Sequence, residues 1–376
     1  MKRLRVLHVF GTRPEAIKLA PVVRECLRRA DELETIICLT GQHFEMLKQV
    51  TDYFQIKADL NLSVMRPDQT LAQLTARCLE GIDEAVSDYA PHCVVVQGDT
   101  TTVMAGALAC FYRHVPLVHV EAGLRTGNLQ APWPEELNRR VTSLATTLHC
   151  APTQRAADHL LAEGTCPERV HVTGNTVIDA LLWTVERERA DDRRWQEKYA
   201  MLGDGPMVLI TGHRRENFGQ GFQDMCTAIA TLADRFDEVQ FVYPVHLNPN
   251  VQGPVHGLLG GRQNVHLIAP APYPEFVWLM DRSTIILTDS GGVQEEAPSL
   301  KKPVLVMRET TERPEALEAG AVELVGTSVE QIVDRAGVLL TDPAEYARHQ
   351  IDENPYGDGR AAGRIVDLML KQGWQE

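Results

Sequence analysis

At 376 residues the chain is too long for one compact core and suits two domains. Its 44% hydrophobic and 23% charged residues describe an ordinary folded protein, without the Pro, Gly or Ser excess of disordered sequences. A formal net charge of -14 argues against nucleic acid or an anionic membrane as a partner of the whole surface, so a phosphate ligand requires a local basic pocket.

The opening stretch, MKRLRVLHVFGTRPE, has basic residues and a short apolar run. Gly11, Arg13, Pro14 and Glu15 interrupt it before a signal-peptide core forms. The runs LRVLHVF, ETIICLT, CVVVQ, PLVHV and VHVT each lead into a helix-like stretch, the βαβ rhythm of a parallel, doubly wound sheet. The charged segment ERERADDRRWQEK, residues 186–198, is expected to be a solvated helix or connector. After Gly205 the rhythm restarts with MVLIT, VQFVYPV, NVHLI, TIILT, KPVLVM and AVELV, which predicts a second sheet of the same kind. Past the turn NPYGDG, residues 361–372 read as an amphipathic helix returning to the first domain. The expected fold is therefore α/β with two Rossmann-like doubly wound domains: 1–173, joined by the C-terminal helix 359–376, and 174–358. No run approaches the roughly 20 apolar residues of a membrane-spanning helix. The eight cysteines form no CxxC pair and several lie in apolar runs, so they read as reduced core residues of a cytoplasmic protein.

In open α/β sheets, ligands lie beyond the carboxyl ends of the strands. Six polar clusters fall there: GTRPE, GDTTT, EAGLRTG, GHRREN, HLNPN and DSGGVQEE. Each has a plain structural alternative. In GTRPE, Pro14 suits an early helical position and Gly11 a tight turn, while Arg13 and Lys18 favour an anion site. Asp99 or Thr100 serves equally as a helix cap or as a functional group. Glu121 directly ends an apolar strand, where an idle charge is costly, and leans functional. Glu135 and Glu136 suit the first turn of a helix. His213, beside Arg214 and Arg215, reads as a loop histidine in an unusually basic turn. Ser290 is a natural helix cap, and Gly291 and Gly292 allow a phosphate to approach free N–H groups.

Sharper alternatives lack their residues. The chain has no GxxxxGK[ST], and its first strand leads into GTRPE, not GxGxxG, which argues against a phosphate-loop nucleotidase and against NAD at that turn. The DSGG serine lacks the GxSxG elbow of hydrolases, and the 13 histidines show no HExxH spacing. A diphosphate ligand fits this edge, with no metal and no cofactor expected.

Read in order, GTRPEAIK, QGDTTT, VEAGLRTG, PWPEELNR, GNTVIDAL, TGHRREN, PVHLNPN, TDSGGVQEEAPSL, KPVLVMRETTERPEA and NPYGDG resemble the bacterial UDP-N-acetylglucosamine 2-epimerases of the non-hydrolysing kind, over nearly the whole chain. The resemblance implies a glycosyltransferase type B-like fold, two Rossmann-like domains facing across a cleft, usually as a homodimer. It implies an isomerase that interconverts UDP-GlcNAc and UDP-ManNAc for bacterial surface polysaccharides, expelling UDP to give 2-acetamidoglucal and then adding it back. On that resemblance Asp99, Glu121 and Glu135 handle protons, His213 lies close to the phosphates or sugar, and Arg139 orients the acidic cluster. Arg13, Lys18, His213 and the backbone of Ser290, Gly291 and Gly292 hold the diphosphate. Glu296 accepts from the ribose, Phe276 lies beside uracil, and Arg313 is nearby. Where relatives often carry a polar residue near uracil, this chain has Ala271 and Pro272. Some relatives bind a second UDP-GlcNAc as an activator; Gln42, His43, Gln69, Glu136, Arg214 and His246 match parts of that region, with Asp68 where a basic residue can stand. A hydrolysing relative that releases ManNAc and UDP, and a UDP-sugar sensor without turnover, are the alternatives.

Overall fold

A computed structural model describes residues 3–41 and 44–374. The chain forms two compact units, Met1–Ala180 with Gly357–Glu376, and Leu181–Tyr356.

The first unit is built on a seven-stranded parallel sheet. Its strands are β1 (Leu4–Phe10), β2 (Leu33–Leu39), β3 (Leu60–Asn61), β4 (Cys93–Gln97), β5 (Leu117–Val120), β6 (Leu148–Ala151) and β7 (Val170–Val172), in the spatial order β3-β2-β1-β4-β5-β6-β7. Strands β4 and β5 are buried along their whole length, which is why CVVVQ and LVHV are near-continuous apolar runs and not alternating ones. On one face, Leu7, Val9, Val94 and Val96 pack against Cys78, Ile82, Ala105 and Ala109 of the covering helices. Strand order reverses between β1 and β4, so the loops leaving these two strands frame the switch point where doubly wound sheets take ligands.

The helix Arg13–Arg28 opens with a capping box: Thr12 Oγ1 accepts from Glu15 N, and Glu15 returns to the Thr12 N–H. Helix Ala361–Lys371 packs on it, and Arg29 pairs with Asp367 at 2.6 Å. The start of that last helix is received by Asp179, whose carboxylate accepts from Ala361 N at 3.2 Å and Ala362 N at 2.8 Å.

The second unit carries a six-stranded parallel sheet. It comprises β8 (Met207–Thr211), β9 (Gln240–Pro244), β10 (Val265–Ile268), β11 (Ile285–Thr288), β12 (Val304–Val306) and β13 (Val322–Leu324), ordered β10-β9-β8-β11-β12-β13. Its core joins Ile210, Phe222, Phe241, Tyr243, Leu287 and Ile332. Here the order reverses between β8 and β11, the strands that end in GHRREN and DSGG.

Four sequence-based expectations need correction. Strands β3 and β6 escape the reading, because two residues carry no periodicity and LHCA is too short to separate from a turn. Gly11 is required for close packing and not for a turn conformation, since a β-carbon there would stand 1.8 Å from Thr40 Oγ1. The stretch 186–198 is not simply solvated: Glu188 is buried, accepting from Trp195 Nε1 at 2.6 Å and Arg194 at 2.5 Å, and Trp195 is buried too. Finally, Cys166 is exposed, unlike the other seven free cysteines.

Candidate active site

In the first unit, the loop after β1 is fixed by Glu15. This buried carboxylate accepts from Gly11 N at 3.1 Å, Thr12 N at 2.7 Å and Thr100 Oγ1 at 2.7 Å, tying the GTRPE turn to the GDTTT turn. Burial pushes the Glu15 carboxyl up, with those hydrogen bonds pulling the other way. Arg13 and Lys18 sit on the helix that Glu15 anchors, both half-buried.

Asp99 does not cap a helix; Thr100 does, accepting from Val103 N. Asp99 instead receives Arg139 through one oxygen, Oδ2, which lies 2.9 Å from Nε and 2.7 Å from a second guanidinium nitrogen. Its main-chain oxygen accepts from Asn138 Nδ2 at 2.8 Å. One residue earlier, Gly98 O accepts from His119 Nε2 at 2.7 Å. A carbonyl only accepts, so His119 carries its proton on Nε2, and burial drops its pKa to about 4. Arg139 also reaches Glu136 at 3.0 Å.

Glu136 itself is fully buried at the first turn of helix Glu135–Ala145. It accepts from Thr126 N at 3.1 Å, Gly127 N at 3.3 Å and Arg140 Nε at 3.3 Å as well as from Arg139. Burial opposes its charge, but the Thr126 N–H and the arginines outweigh it and hold the carboxyl below its ordinary range. Its place is that of an anchor for the 126–127 turn. Glu135 beside it is half-buried and has no hydrogen-bond partner among the described residues.

Glu121 is the most constrained group of this edge. Its φ is +64°, a left-handed backbone that a non-glycine residue adopts at a cost of roughly 1–2 kcal/mol. The side chain is buried, and Lys18 Nζ lies 2.5 Å from Oε1. Asn175 Nδ2 donates to the same oxygen at 3.3 Å, and Gln97 Nε2 donates to Oε2. Lys18, expected on a diphosphate, thus lies against a carboxylate here. Gln97 and Asn175 stand inside the motifs QGDTTT and GNTVIDAL without having been singled out; a polar side chain closing the run CVVV was the available signal.

In the second unit, Asp289 is wholly buried and organises the switch point. One of its oxygens accepts from His213 N and Arg214 N, both at 2.8 Å, pinning GHRREN to DSGG. The other lies 3.8 Å from His213 Nδ1 and has no hydrogen bond among the described residues. His213 stacks on His246 with ring centres 5.2 Å apart and planes 11° apart. Desolvation lowers the His213 pKa, with His246 and Arg214 adding to it and Asp289 opposing.

Ser290 occupies the N-cap position of helix Gly291–Glu296, but its side chain makes no capping bond. The first N–H groups of that helix have no intrahelical acceptor and suit an anion. A β-carbon at Gly291 would stand 3.6 Å from an Arg214 nitrogen and 3.7 Å from the Arg313 guanidinium, so glycine leaves open a spot that two cations border. Arg313 Nε also bonds Glu295, and Arg308 joins Glu216 at 2.5 Å to Glu312 at 3.0 Å, fixing the RETTERPEA loop to GHRREN. The Arg308 guanidinium draws Glu312 down to about 2. Glu296 accepts from Tyr273 OH at 3.3 Å, and Phe276 is half-buried on helix Tyr273–Arg282.

Of the remaining candidates, Gln69 is engaged locally, donating to Met65 Sδ at 3.0 Å and accepting from Arg77. Gln42 and His43 lie outside the described residues. Among the described residues, no three His, Cys, Asp or Glu side chains gather as a metal ion needs, and no helix is long and apolar enough to cross a membrane.

The sequence profile of a family described as UDP-N-acetylglucosamine 2-epimerase matches residues 25–370. A UDP-N-acetylglucosamine 2-epimerase of Salmonella typhimurium is 52% identical over 370 residues, covering 97% of this chain and 98% of that protein. The crystal structure of UDP-GlcNAc 2-epimerase from Neisseria meningitidis bound to UDP-GlcNAc superposes with a TM-score of 0.92 at 47% identity, over 98% of this chain and 100% of the other. The Methanocaldococcus jannaschii UDP-GlcNAc 2-epimerase in complex with UDP-GlcNAc and UDP gives a TM-score of 0.81 at 31% identity, with the same coverage. Two parallel-sheet α/β units with these polar switch points, matched end to end by such relatives, place the chain in the UDP-N-acetylglucosamine 2-epimerase family.

Proposed function

We propose that this protein is an isomerase that inverts carbon 2 of UDP-N-acetylglucosamine, giving UDP-N-acetylmannosamine, and that UDP-ManNAc is used in bacterial surface polysaccharides. The hydrogen on carbon 2 is too weakly acidic for a carboxylate to remove outright. Departure of UDP from carbon 1 as the carbon 2 proton is lost yields 2-acetamidoglucal; UDP then adds back to carbon 1 while a proton arrives at carbon 2 from the opposite face. No electrons are gained or lost, so the cycle calls for no redox cofactor.

The observation that carries this reading is Glu121, a buried carboxylate held in a left-handed backbone under Lys18 at the end of β5. Asp99, clamped by Arg139, and Glu135, with no partner among the described residues, complete the proton-handling set. His213, Arg13 and the N–H groups of Ser290, Gly291 and Gly292, bordered by Arg214 and Arg313, receive the departing diphosphate, whose growing charge they stabilise. Glu296 and Phe276 take the ribose and uracil, with the base read by backbone groups near Ala271 and Pro272. By family resemblance alone, Gln42, His43, Gln69, Glu136, Arg214 and His246 remain the candidates for binding a second UDP-GlcNAc as activator.

The working form is a homodimer. Leu144 is 89% exposed, Phe111 63% and Tyr112 60%, on helices Glu135–Ala145 and Thr101–Tyr112 that pack together, an apolar face suited to a second copy. Eight free thiols favour the cytoplasm.

Incubation with UDP-GlcNAc in deuterated water, followed by NMR, tests the reaction. Deuterium at carbon 2 of UDP-ManNAc is expected. Free ManNAc with UDP would instead assign a hydrolysing enzyme, and binding without exchange a sensor.

A further inference from the structure

Resting on the epimerase reading, we propose that Gln97 and Asn175 are positioning residues that aim the Glu121 carboxylate at the sugar. Neither the backbone nor the burial of Glu121 favours its own conformation, so its surroundings must impose it. Both carboxylate oxygens are gripped separately: Oε2 by Gln97, Oε1 by Asn175 and Lys18. A carboxylate held at each oxygen cannot turn about its terminal bond.

The two amides are themselves fixed. Gln97 is the last residue of β4, in register with Val120, and is 3% exposed. Asn175 is 2% exposed, and its Oδ1 accepts from Val177 N at 3.1 Å at the start of helix Thr176–Ala190. With that oxygen committed to an N–H, the Asn175 NH₂ group must face Glu121 as donor. An amide neither gives up nor takes a proton in this range. Lys18 supplies charge beside Glu121, whereas Gln97 and Asn175 supply direction.

The test uses the isosteric variants Gln97→Glu and Asn175→Asp, which keep the shape, and in Asn175→Asp the acceptor for Val177 N, but replace a donor with a carboxylate facing Glu121. The expected result is a kcat for UDP-GlcNAc lowered about 10- to 100-fold, the usual penalty of a misaimed group, with KM and UDP affinity within about twofold. Relative activity should recover as pH falls, because one proton shared between facing carboxyls restores the missing hydrogen bond. Unchanged kcat, or kcat lost in step with melting temperature and without recovery at low pH, overturns the inference. If the acidic variants do not fold, Gln97→Met decides: lower kcat at constant KM supports it, wild-type kcat sinks it. Absence of carbon 2 exchange in the wild-type protein would instead defeat the epimerase reading, which separates the two failures.

Discussion

Glu121 combines a disfavoured backbone with a buried charge, and each would be selected against if the side chain had no task. Glu121→Gln keeps the shape and removes the proton acceptor. Turnover should fall by about 10²- to 10⁴-fold, the usual contribution of a general base, while UDP affinity, measured by calorimetry, stays within about twofold because the proposed phosphate contacts lie elsewhere. Wild-type turnover in that variant would remove Glu121 from the chemistry. Much at this scale was legible in advance: a charge closing an apolar strand, or two arginines in an otherwise acidic chain, is conspicuous in one dimension. Gln97, Asn175 and Asn138 were not, since a neutral amide shows its use only when its partner, up to 54 residues away, is brought beside it. Nor was the role of Asp289, which belongs to DSGG by sequence but serves GHRREN through its backbone.

Among the elements, every strand of the second sheet was readable as an apolar run, and the misses in the first were its two-residue edge strand and LHCA. Burial on both faces writes a strong signal into strands such as β4, whereas β6, though equally buried, carries a histidine and a cysteine in four residues and leaves a weak one. The return of helix Ala361–Lys371 rests on Asp179, which sequence pattern does not reveal. Burial raises the Asp179 pKa from 3.8 to about 6, against the N–H bonds of Ala362 and Ala361. The folded state therefore holds this proton more tightly than the unfolded chain. Its contribution to stability is greatest below pH 4 and is lost as pH rises to about 6, a change of about 2–3 kcal/mol at most. Asp179→Asn does not titrate, so the fall in its melting temperature between pH 4 and 7 should be shallower than that of the wild-type protein. Parallel curves would show that Asp179 does not change protonation on unfolding in this range.

At the scale of the whole molecule, a net charge of -14 and a phosphate ligand are reconciled by concentration: Arg214 and Arg313 border one glycine, so the attraction is local while the rest of the surface stays anionic. The apolar face around Leu144 has the opposite logic, since exposed leucine and aromatic rings gain most when a copy covers them. On the proposed dimer, Leu144→Asp should shift the protein to half its mass in sedimentation at micromolar concentration, and an unchanged mass would remove this face as a dimer contact. A left-handed carboxylate, finally, leaves its trace in descent. Glycine takes that backbone without steric cost and asparagine at little. Once turnover ceases to be selected, drift at position 121 runs toward those residues while the sheet-building motifs persist. On the roles proposed above, a relative that keeps the DSGG turn but carries glycine in place of Glu121 would be a retired enzyme that keeps its diphosphate site and is more stable for having given up its chemistry.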